Sequence, residues 1–340
     1  MRNPRPTHVS LCTGIGGLDL IFGAPTIAAD INERTQKVIA KNWPETQLEA
    51  DWTTWAKLPD STTLVTAGLP CQPVSEAGKQ LGLADPRWLF DDFCDLIVRS
   101  HARPTIFLEN VAAVTQASFA PGLVSVFNRL RQIGYSIFTT TVAASSAGAP
   151  HRRSRWFALL MHPATCLPSL VENYNLRPQP ARNPLFATLT TATGGGFTLP
   201  GGAEHSLRAN SFTSYFRLNK PFRLSKSQQH NTPLFDSPPN GRFSTLVGDN
   251  RAIDWQEYRP TVEHWSEVLG RTPPAYVDGK HPHLMGSTLL EWFMGFPAGW
   301  VPPELKPTPT LIMLGNSVVP QQAFLAWQRL LVLSQSCLFA

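Results

Sequence analysis

The chain's 340 residues are 42% hydrophobic and 16% charged, which excludes a disordered protein and gives length enough for two cores. The formal net charge of +5, carried mostly by arginine, admits a polyanionic partner, since arginine suits bidentate phosphate and guanine contacts. Five cysteines (Cys12, Cys71, Cys94, Cys166 and Cys337) without a Cys-x-x-Cys pair exclude a disulfide framework and a structural zinc site, and no metal is expected.

No apolar run reaches membrane length, and the opening MRNPRPTHVS has no apolar signal core, so a cytoplasmic protein with no membrane partner is expected. Through residue 162, THVSLC, PTIAAD, TTLVTAG, PTIFLEN, SIFTTTVAA and SRWFALLM read as strands, and Glu33–Lys41, Leu89–Ser100 and Leu123–Ile133 carry helical spacing. This rhythm predicts an α/β fold with a mostly parallel sheet, helices on both faces, and ligands beyond the carboxyl ends of the strands.

Residues 163–283 differ in character, being rich in Pro, Gly, Ser, Thr and Asn, with GGG at 194–196. Between Leu176 and Lys226 seven Lys or Arg stand against one acid, Glu204, interleaved with Phe186, Phe197, Phe212, Tyr215, Phe216 and Phe222. The cations suit a phosphate backbone; the aromatics by themselves read as the core of a small irregular domain. A helix is expected over Trp255–Gly270, stopped by its glycine. From 284 regular structure returns: LLEWFMGFP reads as a helix broken by Gly295 and Pro297, LGNSVVP as a loop, and VVPQQAFLAWQRLLVLSQ as a closing amphipathic helix. The organisation expected is a large domain over 1–162, a second over 163–283, and a return segment, 284–340, that completes the first.

The first strand runs into LCTGIGG, whose Gly14, Gly16 and Gly17 allow a tight turn and close approach of a ligand. The dinucleotide pattern G-x-G-x-x-G is incomplete, because Asp19 stands in the last glycine's place. Asp30, ending the second strand, is placed to accept from ribose hydroxyls, and Asp51 from an adenine amine; either is equally read as a helix cap. In GLPCQPVS, Cys71 sits near two prolines in a short rigid loop, where a packed structural cysteine is not expected. Glu109 lies at the carboxyl end of a buried-looking strand, a costly place for an unpartnered charge. Arg153 and Arg155 alternate on entering a strand, so both are expected on one face.

LCTGIGG, GLPCQ, ENV, APHRRSR and LGNSVVP, in that order, resemble the C5-cytosine DNA methyltransferase family over roughly 7–160 and 284–330, and the WFMGFPAGW ending is similar to methyltransferases of actinobacteria and their phages. The resemblance implies a Rossmann-like S-adenosylmethionine-dependent large domain and a small irregular target-recognition domain at 163–283. It makes Cys71 a nucleophile toward C6 of cytosine, Glu109 an acid toward N3, and Arg153 and Arg155 a clamp on O2. The target base has to leave the duplex for this chemistry.

By the same resemblance the glycine turn holds the cofactor's methionine end, Asp30 the ribose and Asp51 the adenine, while Leu89 and Asn316 line the pocket. Cys12, Thr13, Ile15, Ile31, Trp52, Pro70 and Val318 join that cofactor-binding set. Gln72, Ser75 and Asn110 are expected to bind substrate. The partners implied are double-stranded DNA and a cognate restriction endonuclease, for a monomer in a bacterial cell or phage-infected host.

Four departures from the family pattern stand out: Cys12 in place of phenylalanine, Asp30 in place of glutamate, His151 in place of glutamine, and GSTL where an arginine is usual. Three rival readings are weighed. A tRNA cytosine methyltransferase has a more compact recognition region than this chain. A silent DNA-binding homologue has no need of Cys71, Glu109 and both arginines, and a nicotinamide oxidoreductase fits poorly with the glycine pattern and the lack of a second redox cysteine.

Overall fold

A computed structural model of the protein describes residues 7–70, 85, 87–165, 255, 258–274 and 286–338, with side chains to 334. Most of the 163–283 module, with its cations and aromatics, lies outside the described residues, as do Cys71, Gln72 and Ser75. Seven strands, β1 (Thr7–Leu11), β2 (Ile27–Ala29), β3 (Gln47–Glu49), β4 (Thr62–Gly68), β5 (Thr105–Val111), β6 (Ser136–Ala143) and β7 (Ser154–Met161), form one sheet in the order β3-β2-β1-β4-β5-β7-β6. The first five are mutually parallel. Strand β7 runs antiparallel to both β5 and β6, so its amino end lies beside the carboxyl end of β5.

The central strands read as continuous apolar runs because both faces are covered. Along β5, Ile106 and Leu108 join one core cluster with α2 (Phe90–Arg99) and α3 (Ala120–Gln132), and Phe107 points to the other face. Strand β7 divides in the same way, with Trp156, Ala158 and Leu160 on the first face and Phe157 and Leu159 on the second. The second face is covered by the closing helix α7 (Pro320–Leu338), through Ala323, Phe324, Trp327 and Leu330. Each such aromatic or aliphatic side chain contributes roughly 1.5–3 kcal/mol by leaving water.

Sequence explains the shorter helices. In α1 (Glu33–Asn42) the Asn32 side chain caps the Arg34 N–H, and Thr35, Val38 and Ile39 make the buried stripe. In α2, Asp91 and Asp92 begin and Arg99 ends the helix, charges that complement its dipole. Helix α4 (Arg259–Leu269) stops at Gly270, whose φ of 63° is the left-handed cap expected from the sequence. With α5 (Ser287–Phe293) and α6 (Pro307–Asn316) it builds a third cluster around Trp265, Trp292, Phe293 and Leu314, which includes Ile15 and Val38 from the amino-terminal part.

One expectation is corrected. LGNSVVP is not a loop throughout: Leu314–Asn316 form the last turn of α6, and only Ser317–Val319 interrupt the helices. Its prolines, threonines and glycine are weak helix formers, so packing rather than propensity holds it. Strand β3 carries no apolar alternation, because a three-residue edge strand needs only the β2 ladder. At the GSTL departure, Arg271 from the end of α4 donates to the Phe296 carbonyl, bringing an arginine to this segment from elsewhere in the chain.

Candidate functional site

The carboxyl ends of β1, β2, β4 and β5 open on a cavity of about 480 Å³, closed on one side by α6 and the residues after it. That volume suits a nucleoside-sized ligand. Its first wall is the glycine turn. The Thr13 N–H donates to the Ala29 carbonyl at 3.1 Å, stitching the turn to β2. Cys12 and Gly14 take φ of 51° and 57°, the left-handed region in which a side chain is strained.

The three glycines prove to have different reasons. A Cβ on Gly14 would meet nothing within 4 Å, so this position faces open space. On Gly16 it would lie 2.5 Å from the Trp43 ring, and on Gly17 2.5 Å from Ser317 Oγ and 2.7 Å from the Val318 carbonyl. Gly14 and Gly17 line the cavity; Gly16 does not and instead serves packing.

Asp30 is a clasp as well as a lining residue. Its Oδ2 accepts from the Gly14 N–H and its Oδ1 from the Asn32 N–H, both at 2.8 Å. Asp51 is a cap, its Oδ1 accepting from the N–H and hydroxyl of Thr53 at a short 3-10 turn, and the residue also lines the cavity. Ile31 is 80% exposed at the cavity rim, an apolar surface open to a flat ring. Trp52 is buried and its indole N–H donates to Cys12 Sγ at 3.3 Å. Burial pushes the Cys12 thiol up to about 12, so the sulfur that replaces an expected phenylalanine stays protonated. Thr13, Ile15, Pro70, Leu89, Asn316 and Val318 also line the cavity.

The second wall carries Glu109 and Arg155. The antiparallel β7 pairs Arg155 with Val111 and Phe157 with Glu109, which places Glu109 and Arg155 diagonally on one face. Arg155 Nε meets Glu109 Oε1 at 2.8 Å, with the side chains 13% and 14% exposed. Burial raises the Glu109 carboxyl above the ordinary range, against the pull of Arg155 and Arg153. A carboxyl whose proton affinity is raised by burial suits the part of a general acid.

Arg153 does not share that wall. It precedes β7, so strand alternation does not fix its direction, and its guanidinium reaches the Asn316 carbonyl and the Met294 sulfur instead. Asn110 likewise does not line the cavity: buried, it donates to the Leu69 carbonyl at 3.0 Å and anchors the chain one step before Pro70. The anchored segment leads to residues 71–84, outside the described residues. His151 is buried and donates from Nε2 to the Phe293 carbonyl at 3.3 Å. Burial, aided by Arg153, drops its pKa to about 4, so it is a neutral packing residue.

Three features of the site escaped the sequence reading. Arg87 lines the cavity, its guanidinium held by both oxygens of buried Asp85; the one-residue D-x-R spacing was the available signal. Ile312 and Met313 of α6 line the cavity too, and were hidden because the helix itself was unforeseen. Asp19 is fully buried at the cavity floor, accepting from the hydroxyls of Ser10 and Thr66, with His8 Nε2 at 3.4 Å. Among the described residues no group of three His, Cys, Asp or Glu is placed to hold a metal, and no helix is long and apolar enough to cross a membrane.

Comparison with known proteins bears on the same segments. The family model described as C-5 cytosine-specific DNA methylase matches residues 7–330. Type II methyltransferase M2.BsuMI of Bacillus subtilis is 34% identical over 155 residues, which are 43% of this chain and 40% of that protein. Type II methyltransferase M.HpaII of Haemophilus parainfluenzae is 31% identical over 169 residues, 47% of each. The chain therefore matches less than half the length of these curated relatives. Among solved structures, the S. pombe Dnmt2 methyltransferase aligns over 94% of this chain and 97% of its own, with TM-score 0.51 and 17% identity. The Entamoeba histolytica methyltransferase EhMeth aligns over 95% and 97%, with TM-score 0.52 and 16% identity. At that identity the likeness is one of fold.

Proposed function

The chain belongs to the C-5 cytosine-specific DNA methylase family, and on that premise we propose that it methylates C5 of a cytosine flipped out of duplex DNA, at a specific sequence. The observation that carries the reading is the buried Glu109–Arg155 pair, in the wall of the cavity that also holds the glycine turn and Pro70, one residue before Cys71. The cavity fits S-adenosylmethionine by its chemistry: open backbone at Gly14, the carboxylates of Asp30 and Asp51 for hydroxyl and amine donors, and exposed Ile31 for a ring face. When bound there, the cofactor supplies an electrophilic methyl group on a sulfonium.

The chain's own residues make C5 reactive toward that methyl. The Cys71 thiolate forms a bond to C6, the displaced ring electrons move to C5, and Glu109 delivers its proton to N3. Arg155 donates to O2 and keeps Glu109 oriented. Once C5 carries the methyl group, its own proton leaves to a base, the S–C6 bond breaks, and the N3 proton returns. Adding a sulfur to C6 needs access to the ring face, which a stacked duplex denies; hence the base is extruded.

In this reading 1–162 with 284–340 forms the catalytic domain and 163–283 recognises the target, its cations tracking phosphates. The enzyme works as a monomer in a bacterial or phage-infected cell, with a cognate endonuclease as partner; the WFMGFPAGW ending supports an actinobacterial or actinophage type.

The test is transfer of labelled methyl from S-adenosylmethionine to unmethylated DNA and, separately, to bulk tRNA. DNA is expected to take the label, and Cys71→Ala to abolish transfer while S-adenosylhomocysteine binding stays intact. DNA copied with 5-fluoro-dCTP, which places the probe in every sequence context, is expected to trap a covalent adduct. Label in tRNA alone, or turnover by Cys71→Ala, overturns the reading.

A further inference from the structure

Helix α6 ends abruptly at a point that faces two ways. Its last residue, Asn316, lines the cavity, as do Met313, Ser317 and Val318. In a continuing helix the Asn316 carbonyl would accept from the residue four positions on, but that residue is Pro320, which has no N–H. The Ser317 N–H turns back instead to the Met313 and Leu314 carbonyls, both at 3.2 Å. Asn316 O is therefore left at the negative end of the helix dipole without a helical donor.

Arg153 supplies that donor. Its Nη2 donates to Asn316 O at 2.6 Å, and its Nη1 lies 3.8 Å from the Met294 sulfur. Its backbone is held as well, for Gln322 of α7 donates from Nε2 to the Arg153 carbonyl at 2.9 Å and to that of Val142 at 2.7 Å. Two residues on, Arg155 holds Glu109 in the opposite wall. Gly17 packs against Ser317 and Val318 with no room for a methyl group, so any shift of the α6 end is felt by the glycine turn.

We propose that Arg153 is a positioning residue for the cofactor wall: it caps α6 at Asn316 and so ties the base-side strand β7 to the cofactor half of the cavity. Arg153 and Arg155 thus divide their work. Arg155 pairs directly with Glu109 and serves the base, while Arg153, whose charge is also felt at Glu109, acts through its bond to Asn316 on the cofactor. This inference rests on the methyltransferase reading above.

Equilibrium binding of S-adenosylhomocysteine by the full chain tests it, beside covalent trapping of 5-fluorocytosine DNA at saturating S-adenosylmethionine. Loss of a charge-assisted hydrogen bond is expected to weaken binding about tenfold in Arg153→Ala. Trapping at saturation should be little changed. Arg153→Lys, which keeps one charged donor, should recover part of the affinity. Arg155→Ala should show the reverse pattern, with near-normal binding and lost trapping.

Wild-type affinity in Arg153→Ala together with lost trapping overturns the proposal and restores a clamp on the base. Should Arg153→Ala fail to fold, Arg153→Lys decides: its KM for the cofactor rises with kcat held if the proposal is right, and kcat falls with KM held if it is wrong. Absence of binding by the wild type would instead overturn the methyltransferase reading, and this inference with it.

Discussion

Replacing Gly14 and Gly17 by alanine, one at a time, should produce two different defects from what the sequence presents as one motif. At Gly17 the added methyl carbon would sit 2.5 Å from Ser317 Oγ, 2.7 Å from the Val318 carbonyl oxygen and 3.0 Å from the Phe296 ring. The hydroxyl can rotate away, but the carbonyl is backbone between α6 and α7 and cannot. Overpacking of this kind costs about 1–3 kcal/mol, or a fall of several degrees in melting temperature at a few degrees per kcal/mol. At Gly14 the methyl group meets nothing, and the cost is confined to holding alanine at φ 57°, roughly 1 kcal/mol. Gly14 lines the cavity, so Gly14→Ala should lose cofactor affinity with its melting temperature nearly kept. Thermal unfolding of both variants, read beside S-adenosylhomocysteine titrations, separates the two effects. Gly14→Ala proving the less stable of the pair, or Gly17→Ala melting with the wild type, would refute the packing argument.

His151 gives a pH dependence of definite sign. Its folded-state pKa of about 4 lies below the ordinary histidine value of 6.5, so the unfolded chain binds the proton first. The stability it contributes is complete above pH 6.5 and is lost as pH falls toward 4, to an extent on the order of 3 kcal/mol. His151→Gln keeps a donor for the Phe293 carbonyl and should flatten that part of the stability profile in urea titrations; an unchanged slope would show that other groups set it. Trp327 is 1% exposed and meets Phe22 and Phe107 edge-on at 4.9 and 5.3 Å. Trp327→Ala should cost about 3–5 kcal/mol in equilibrium unfolding, and a loss below about 1 kcal/mol would mean that α7 is not integral to the core.

Local signals read well wherever one residue type answers to one local cause. The apolar runs of β1, β4, β5 and β7 and the Gly270 stop are of this kind, and so is the capping role of Asp51. What escaped depended on residues far apart in the chain. Helix α6 is unfavourable by propensity and exists because Leu314 packs among Trp265, Trp292 and Phe293. Arg153 looked like a twin of Arg155 because pleat alternation was extended one residue beyond the start of β7, whereas its direction is set by Asn316, 163 positions away. Asn110 sits between a cavity-facing glutamate and a cavity-facing valine, and the strand's alternation turns it from the ligand toward Leu69.

The place of α7 in the sheet also governs when this protein can come into being. During synthesis the seven strands are finished at Met161, yet the helix that covers their second face does not begin until Pro320. At ordinary elongation rates the intervening stretch takes roughly 10–30 s, during which Phe107, Phe157 and Leu159 have no helix over them. A nascent chain in that interval has an apolar face for chaperones to hold. It also lacks Asn316 and Val318, so its cavity wall is not yet complete. A complete cavity is thereby withheld from incomplete chains by the order of the sequence alone.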